Sequence, residues 1–158
     1  MHMRSKLATL FLATLTAGGC LLAGASPASA TAYSGKSKWI SSERGWQHAG
    51  VYVEPGDWVR VRYLAGRWSV DSGKFRYVSS AGYPRHIDRH IYAPCKVLKN
   101  QPQGSMIARI NDDIYRIGRS RWIQARQAGF LQLRINDADA CLGDNDGAVR
   151  VKLTVSDG

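Results

Sequence analysis

The chain has 158 residues, 44% of them hydrophobic, with 22 Lys and Arg against 12 Asp and Glu and a formal charge of +10. That length gives room for one domain with a real core and excludes two. In so basic a chain, any cluster of acids demands its own explanation.

Residues 1–30 read as a secretory signal peptide. Arg4 and Lys6 form a positive head, residues 7–22 an apolar run, and Ala28-Ser29-Ala30 a small-residue cleavage site. A competing reading takes Thr16-Ala17-Gly18-Gly19-Cys20 as a lipoprotein processing site, which would anchor the protein through Cys20. It fits less well, because Ala17 stands where a larger aliphatic is usual and the apolar run continues past Cys20. The segment lacks the length and flanks of a membrane span. The expectation is a secreted protein with an N-terminal extension at 31–45 and one domain at 46–158.

After the leader the sequence shows no long amphipathic helix, only short alternating runs punctuated by Gly and Pro. Residues 51–53, the turn Glu54-Pro55-Gly56-Asp57 and residues 58–64 read as strand, turn, strand. Val59, Val61 and Tyr63 are expected to face the core, with Arg60 and Arg62 outside. Residues 67–70 continue or bend that strand after Gly66. Residues 71–104, rich in Gly, Pro, Ser, His and Tyr, form the least regular stretch, and long irregular loops in compact domains are often functional. Residues 106–110 and 114–117 predict a hairpin around Asn111-Asp112-Asp113. Residues 121–126, 130–135 and 148–155 bring the total to about eight strands, a number that suits an all-β sandwich or jelly roll.

Cys95 and Cys141 survive removal of the leader, and an even pair in an exported chain predicts a disulfide, with two free structural thiols as the bland alternative. On the chain-entropy argument the bridge contributes roughly 3–4 kcal/mol.

The most informative stretch is residues 131–155. Two alternating strands flank a loop holding Asn136, Asp137, Asp139, Asp144, Asn145 and Asp146 with no positive charge among them. Such carboxylates repel one another unless a cation sits between them. An oxygen-only set suits calcium, which accepts six to eight oxygens in flexible geometry. An EF-hand is excluded, because Leu142 and Leu153 would occupy two of its ligand positions. The bland reading is an Asp/Asn/Gly-rich turn that only connects two strands.

At this loop the sequence resembles the bacterial calcium-dependent galactophilic lectins. The resemblance rests on a strand, Asn136-Asp137, a short turn, Gly143-Asp144-Asn145-Asp146-Gly147 and a final alternating strand. Glu54-Pro55-Gly56-Asp57, Ala65-Gly66 before Trp68, residues 104–110 and residues 114–118 also fit, so the resemblance spans roughly residues 46–155. It implies a galactose-binding-like β-sandwich holding one calcium that coordinates sugar hydroxyls. On that resemblance Asp137, Asp144 and Asn145 supply side-chain ligands, Cys141 a backbone carbonyl, and Val70 or Asp71 a second one. Asp137, Ala138, Asp144, Tyr83 and His86 fall in the sugar-binding region. Asp144 stands where the family has an amide, which adds charge for the metal. Tyr83-Pro84-Arg85-His86 replaces the family's His-Pro-Gln sugar contact and leaves galactose open as the ligand.

On an extended strand, His86, Asp88 and His90 would share a face and could converge on zinc, although Arg85 and Arg89 disfavour a cation there. A solvated loop is the simpler reading, with sugar contacts from His86 or His90 in between. No nucleophile motif or catalytic cysteine signature is present, and the paired carboxylates are explained more simply by metal than by glycoside hydrolysis. Trp39, Trp46, Trp58, Trp68 and Trp122 are expected in the core or at the sandwich ends, with Trp46 or Trp122 as a platform for a sugar ring.

Arg60, Arg62, Arg134, Arg150 and Lys152 fall on outward positions and predict a positive face. That face is either a solubilising surface or a partner for anionic polysaccharide; nucleic acid is not expected. The sequence reading is therefore a secreted, non-catalytic, calcium-dependent module for extracellular or cell-wall carbohydrate. The alternatives are a calcium-stabilised interaction domain that binds no sugar, and a secreted enzyme or polyanion binder using the basic face.

Overall fold

The structure, a computed structural model, describes residues 35–158. The expected leader and Cys20 lie outside the described residues. Strands β1 (Ser37–Ser41), β2 (Gln47–Val53), β3 (Trp58–Ser69), β4 (Met106–Ile110), β5 (Asp113–Arg116), β6 (Ser120–Gln124), β7 (Gly129–Ile135) and β8 (Asp146–Ser156) form two four-stranded sheets. One runs β1-β8-β3-β6 and the other β2-β7-β4-β5, with every pairing antiparallel. The fold is the expected all-β sandwich.

Period-2 alternation produces it. Val59 and Val61 of β3, Ile123 of β6 and Val149, Val151 and Leu153 of β8 point inward and are buried. They meet Val51 and Val53 of β2, Met106, Ala108 and Ile110 of β4, and Leu131, Leu133 and Ile135 of β7 in one core. Fully burying one such side chain stabilises the fold by about 1.5–3 kcal/mol, and shifting a strand by one residue would turn the whole set outward.

The stretch expected either to continue or to bend does both. β3 pairs with β8 along its length, with a register shift between Tyr63 and Ala65. Beyond the shift Trp68 turns inward, is fully buried, and donates its indole N–H to the Gly104 carbonyl at 2.7 Å. Opposite it, Gly147 has φ +91°, and a Cβ there would stand 2.4 Å from the Arg67 carbonyl oxygen. Only glycine allows the two strands to approach so closely at the mouth of the acidic loop. The 106–117 hairpin forms as expected, turning through Asn111 at φ 49°, a left-handed conformation that Asn tolerates.

Three expectations need correction. Residues 37–41, assigned to an extension, are strand β1, because Ile40 is fully buried and the strand pairs with β8; the sandwich begins ahead of residue 46. Residues 86–90 are not extended: the carbonyl of Pro84 accepts from the N–H groups of Ile87 and Asp88, both at 2.9 Å, and starts the short helix α1 (Arg85–Asp88). Asp88 is also committed, to Lys96 Nζ at 2.6 Å and to the Gln103 N–H at 2.7 Å, so the zinc triad does not assemble. Arg134 does not join a positive face; it is 2% exposed.

Candidate functional site

The irregular segment 71–104 and the acidic loop meet at one end of the sandwich. The expected disulfide joins Cys95, at the end of the 3-10 turn Ala93–Cys95, to Cys141 in the 3-10 turn Asp139–Asp144. The two residues of the Asn-Asp pair divide the work. Asn136 accepts the Leu98 N–H at 2.8 Å and donates to the carbonyls of Leu98 and Pro102, both at 3.1 Å, which ties down the irregular segment. Asp137 turns its carboxyl into the space between the two segments.

Arg134 holds that loop from behind. Its Nη1 lies 2.7 Å from Asp139 Oδ1, its Nη2 donates to the Asp137 carbonyl, and its Nε donates to the Ile135 carbonyl at 3.2 Å. The Trp46 ring covers it with centroid 5.4 Å from the guanidinium, and the same ring carries Arg109 at 4.6 Å. Two of the loop's anionic or carbonyl oxygens thus face a buried cation contributed by β7, which the sequence reading did not place there.

Between the segments lies a cavity of about 390 Å³ lined by Val70, Asp71, Lys74, Gln103, Asp137, Cys141 and Asp144, with Phe75, His90, Ile91, Tyr92, Cys95 and Ala140 as its remaining walls and rim. The Ser72 N–H donates to the Asp144 carbonyl at 2.9 Å and joins the two sides. Asp137 is fully buried and its Oδ1 accepts from Gln103 Nε2 at 2.7 Å. Three buried side-chain oxygens here have no hydrogen-bond partner: Asp137 Oδ2, Gln103 Oε1 and Asn145 Oδ1. Asn145 cannot turn its amide to relieve this without losing the bond from Nδ2 to the Ser42 carbonyl at 3.0 Å. Orphaned buried oxygens are costly, about 1–3 kcal/mol each; here the carboxylate contributes one and the Gln103 and Asn145 amides contribute two.

Burial pushes the Asp137 carboxyl up from its ordinary value to about 6; Asn145 and Gln103 pull it down, the Asp144 charge adds to the rise and Arg134 opposes it. Asp71 behaves differently. Its hydrogen bond and ion pair with Lys74, whose Nζ lies 2.9 Å away, hold it below the usual range. Its carboxylate also accepts the N–H groups of Gly73 and Lys74, and its carbonyl accepts from Phe75 N, Lys74 N and Ser69 Oγ.

The structure brings Val70, Asp71, Asp137, Cys141 and Asp144 to one cavity, with Asn145 buried beside it. Three other expected residues stand apart from its opening. Tyr83 is 1% exposed and lies beneath, its hydroxyl 3.0 Å from Ser69 Oγ and accepting the Val70 N–H at 3.4 Å. His86 is exposed on α1 and is not among the lining residues, whereas His90, four residues further on, is. Ala138 uses its N–H on the Cys95 carbonyl. Gln103, Lys74 and Tyr92 were not foreseen. Tyr92, 70% exposed at the rim, is an aromatic face open to a ligand. Cys95, Cys141 and the Asp137 carboxylate lie within 4.8 Å of one another, but disulfide sulfur offers no thiolate to a metal.

No protein-family model matches the sequence, and no curated protein sequence matches it. Among solved structures the chain is similar to the EclA N-terminal domain, a PllA-like lectin, with TM-score 0.56 at 18% identity over 77% of this chain and 95% of that one. At that identity the likeness establishes a shared lectin-like fold. No helix among the described residues is long and apolar enough to cross a membrane.

Proposed function

We infer that this protein is a secreted, non-catalytic module that binds extracellular or cell-wall carbohydrate with the help of calcium. The observation that carries the reading is the set of unpartnered oxygens around the buried Asp137 carboxylate. A hard divalent cation takes six to eight oxygens at once, so one ion would take up the orphaned oxygens of Asp137 and Asn145 and favour the charged form of Asp137. Asp137, Asp144 and Asn145 would hold it by their side chains, and Cys141 and Val70 by their carbonyls. Val70 is preferred to Asp71 because the Asp71 carbonyl already accepts three hydrogen bonds. When bound, calcium offers coordination positions that vicinal sugar hydroxyls can fill in place of water. The chain itself supplies the rest: Gln103 fixes Asp137, Arg134 fixes the loop backbone, and Tyr92 and His90 stand at the rim to contact a sugar ring. The name of the EclA domain is in keeping with this reading.

A purely structural calcium fits less well. The loop is already held by a disulfide, by Arg134 and by Asn136, so a metal is not needed to shape it. A glycan array read with and without chelator tests the sugar. Calcium-dependent signal on a defined set of glycans is expected, and a blank array alongside intact metal binding would leave the interaction domain instead. Turnover of glycoside substrates would contradict the non-catalytic reading, and a raised carboxyl such as Asp137 is where it would be traced.

A further inference from the structure

A second surface, on the outer face of the first sheet, shares no residue with the cavity lining. Residues directly opposite across antiparallel strands point to the same face. On the outer face of the first sheet, Trp58 stands beside Ser156 and Gln124, and Arg60 beside Thr154 and Trp122. Next come Arg62 beside Lys152 and Ser120, then Arg150 beside Trp39. Trp39, Trp58 and Trp122 are 55%, 41% and 42% exposed, an unusual disposition for three of the largest apolar side chains. Trp58 and Trp122 occupy diagonal positions and, with Ser156, line one shallow apolar concavity. Trp39 lies at the far end, about 20 Å along the strands from the Trp58 row.

Arg60 stands beside Trp122 at one end and Arg150 beside Trp39 at the other, Arg62 and Lys152 lie between them, and no carboxylate interrupts these rows among the described residues. The next acid on this side of β8 is Asp146, beyond Arg150, and it accepts a hydrogen bond from the Tyr77 hydroxyl. Several of the cations are pre-ordered. Arg150 donates to Ser37 Oγ at 2.9 Å, and Arg60 donates to Ser120 Oγ at 3.3 Å while its guanidinium lies 5.8 Å from the Trp122 centroid.

We propose that this sheet face is a calcium-independent binding site for a linear anionic polysaccharide, aligned along the strands from the Trp58–Trp122 pair to Trp39. Indole faces stack on the C–H faces of pyranose rings, and guanidinium groups pair with carboxylate or sulfate groups along the polymer. An anionic bilayer fits less well, since interfacial binding needs apolar side chains that reach past the charged ones, whereas here both rise from one flat sheet. Nucleic acid lacks a recognition motif here, and the chain is expected to be exported.

The test is retention on hyaluronate, a linear polymer bearing regular carboxylates, in buffer containing EDTA. An uncharged linear glucan, single-stranded DNA and phosphatidylserine vesicles serve as the other arms. The protein should be retained on hyaluronate, pass through the glucan, and elute with rising salt. Arg60→Gln with Arg62→Gln should weaken affinity about tenfold and flatten the salt dependence. Trp58→Ala with Trp122→Ala should weaken it by about as much and leave the salt dependence unchanged. The single exposed changes Arg62→Gln and Trp122→Tyr give smaller losses in the same direction should a double variant not fold. The proposal is overturned by absence of retention, by retention that ignores both pairs of changes, or by DNA or vesicles binding as tightly as hyaluronate. Retention that requires calcium would assign the polymer to the cavity and overturn the sheet face while supporting the metal reading.

Discussion

The outer face of the first sheet and the cavity at the end of the sandwich differ in how they hold charge. On the sheet, Arg60, Arg62 and Arg150 are exposed to water, with Arg60 and Arg150 steadied only by the hydroxyls of Ser120 and Ser37 on neighbouring strands. In the cavity, Asp137 is buried beside two unsatisfied amide oxygens, held by local contacts from Arg134 and by the long-range ties of Gln103, Asn136 and the disulfide. A solvated charge can gain only screened surface attraction from a ligand. A buried, under-satisfied one stores unfavourable free energy that the right ligand removes. The contrast predicts where substitutions are felt.

The largest expected effect comes from the bridge. Cys95→Ser with Cys141→Ser should destabilise the protein by roughly 3–4 kcal/mol in urea unfolding, since the bond closes a long loop. Arg134→Ala follows at about 3 kcal/mol, because it removes a buried cation that makes two contacts to the loop and leaves the Asp139 carboxylate and the Asp137 carbonyl without it. An Arg134→Ala protein as stable as the wild type would mean that the loop stands without its clamp.

Asp137→Asn should act in the opposite direction. Folded Asp137 binds its proton up to a pH of about 6, against an ordinary value of 3.8. The contribution of this group is therefore fully present below the lower value and lost as pH rises through the upper one. Metal-free protein should lose on the order of 2–3 kcal/mol across that window. Asp137→Asn should remove the slope and leave the metal-free protein more stable at pH 7, by roughly 2 kcal/mol. Urea titrations in EDTA at several pH values measure both. The smallest effect belongs to the sheet face, where Arg62→Gln should change stability by no more than about 0.5 kcal/mol.

Much of this was legible in the sequence because the sandwich obeys local rules. The alternation at 59–61 and 149–153 determines which side chains face the core, and the structure places them there. The acidic loop was legible as a cluster because its acids are close in sequence. The misreadings share one physical origin. Arg134 has the outward parity of Gln132, and Trp46 and Asp139, from outside β7, cover it. Tyr83 and His86 lie in a stretch with no period, where packing rather than spacing decides which side chain meets the cavity. Gln103 gave no signal, since its role rests on one hydrogen bond across 34 positions of chain. The Trp rows of the outer sheet were hidden for a related reason, because Trp39, Trp58 and Trp122 come to share one face only through strand order.

Calorimetric titration of chelator-stripped protein with calcium at pH 7.5 and at pH 5 tests the central claim most directly. The account predicts saturable binding at one site at the higher pH, weaker binding once Asp137 takes up its proton, and none in a protein carrying Asp137→Ala and Asn145→Ala. Heat that is absent at pH 7.5, or that persists unchanged in the doubly substituted protein, would contradict it.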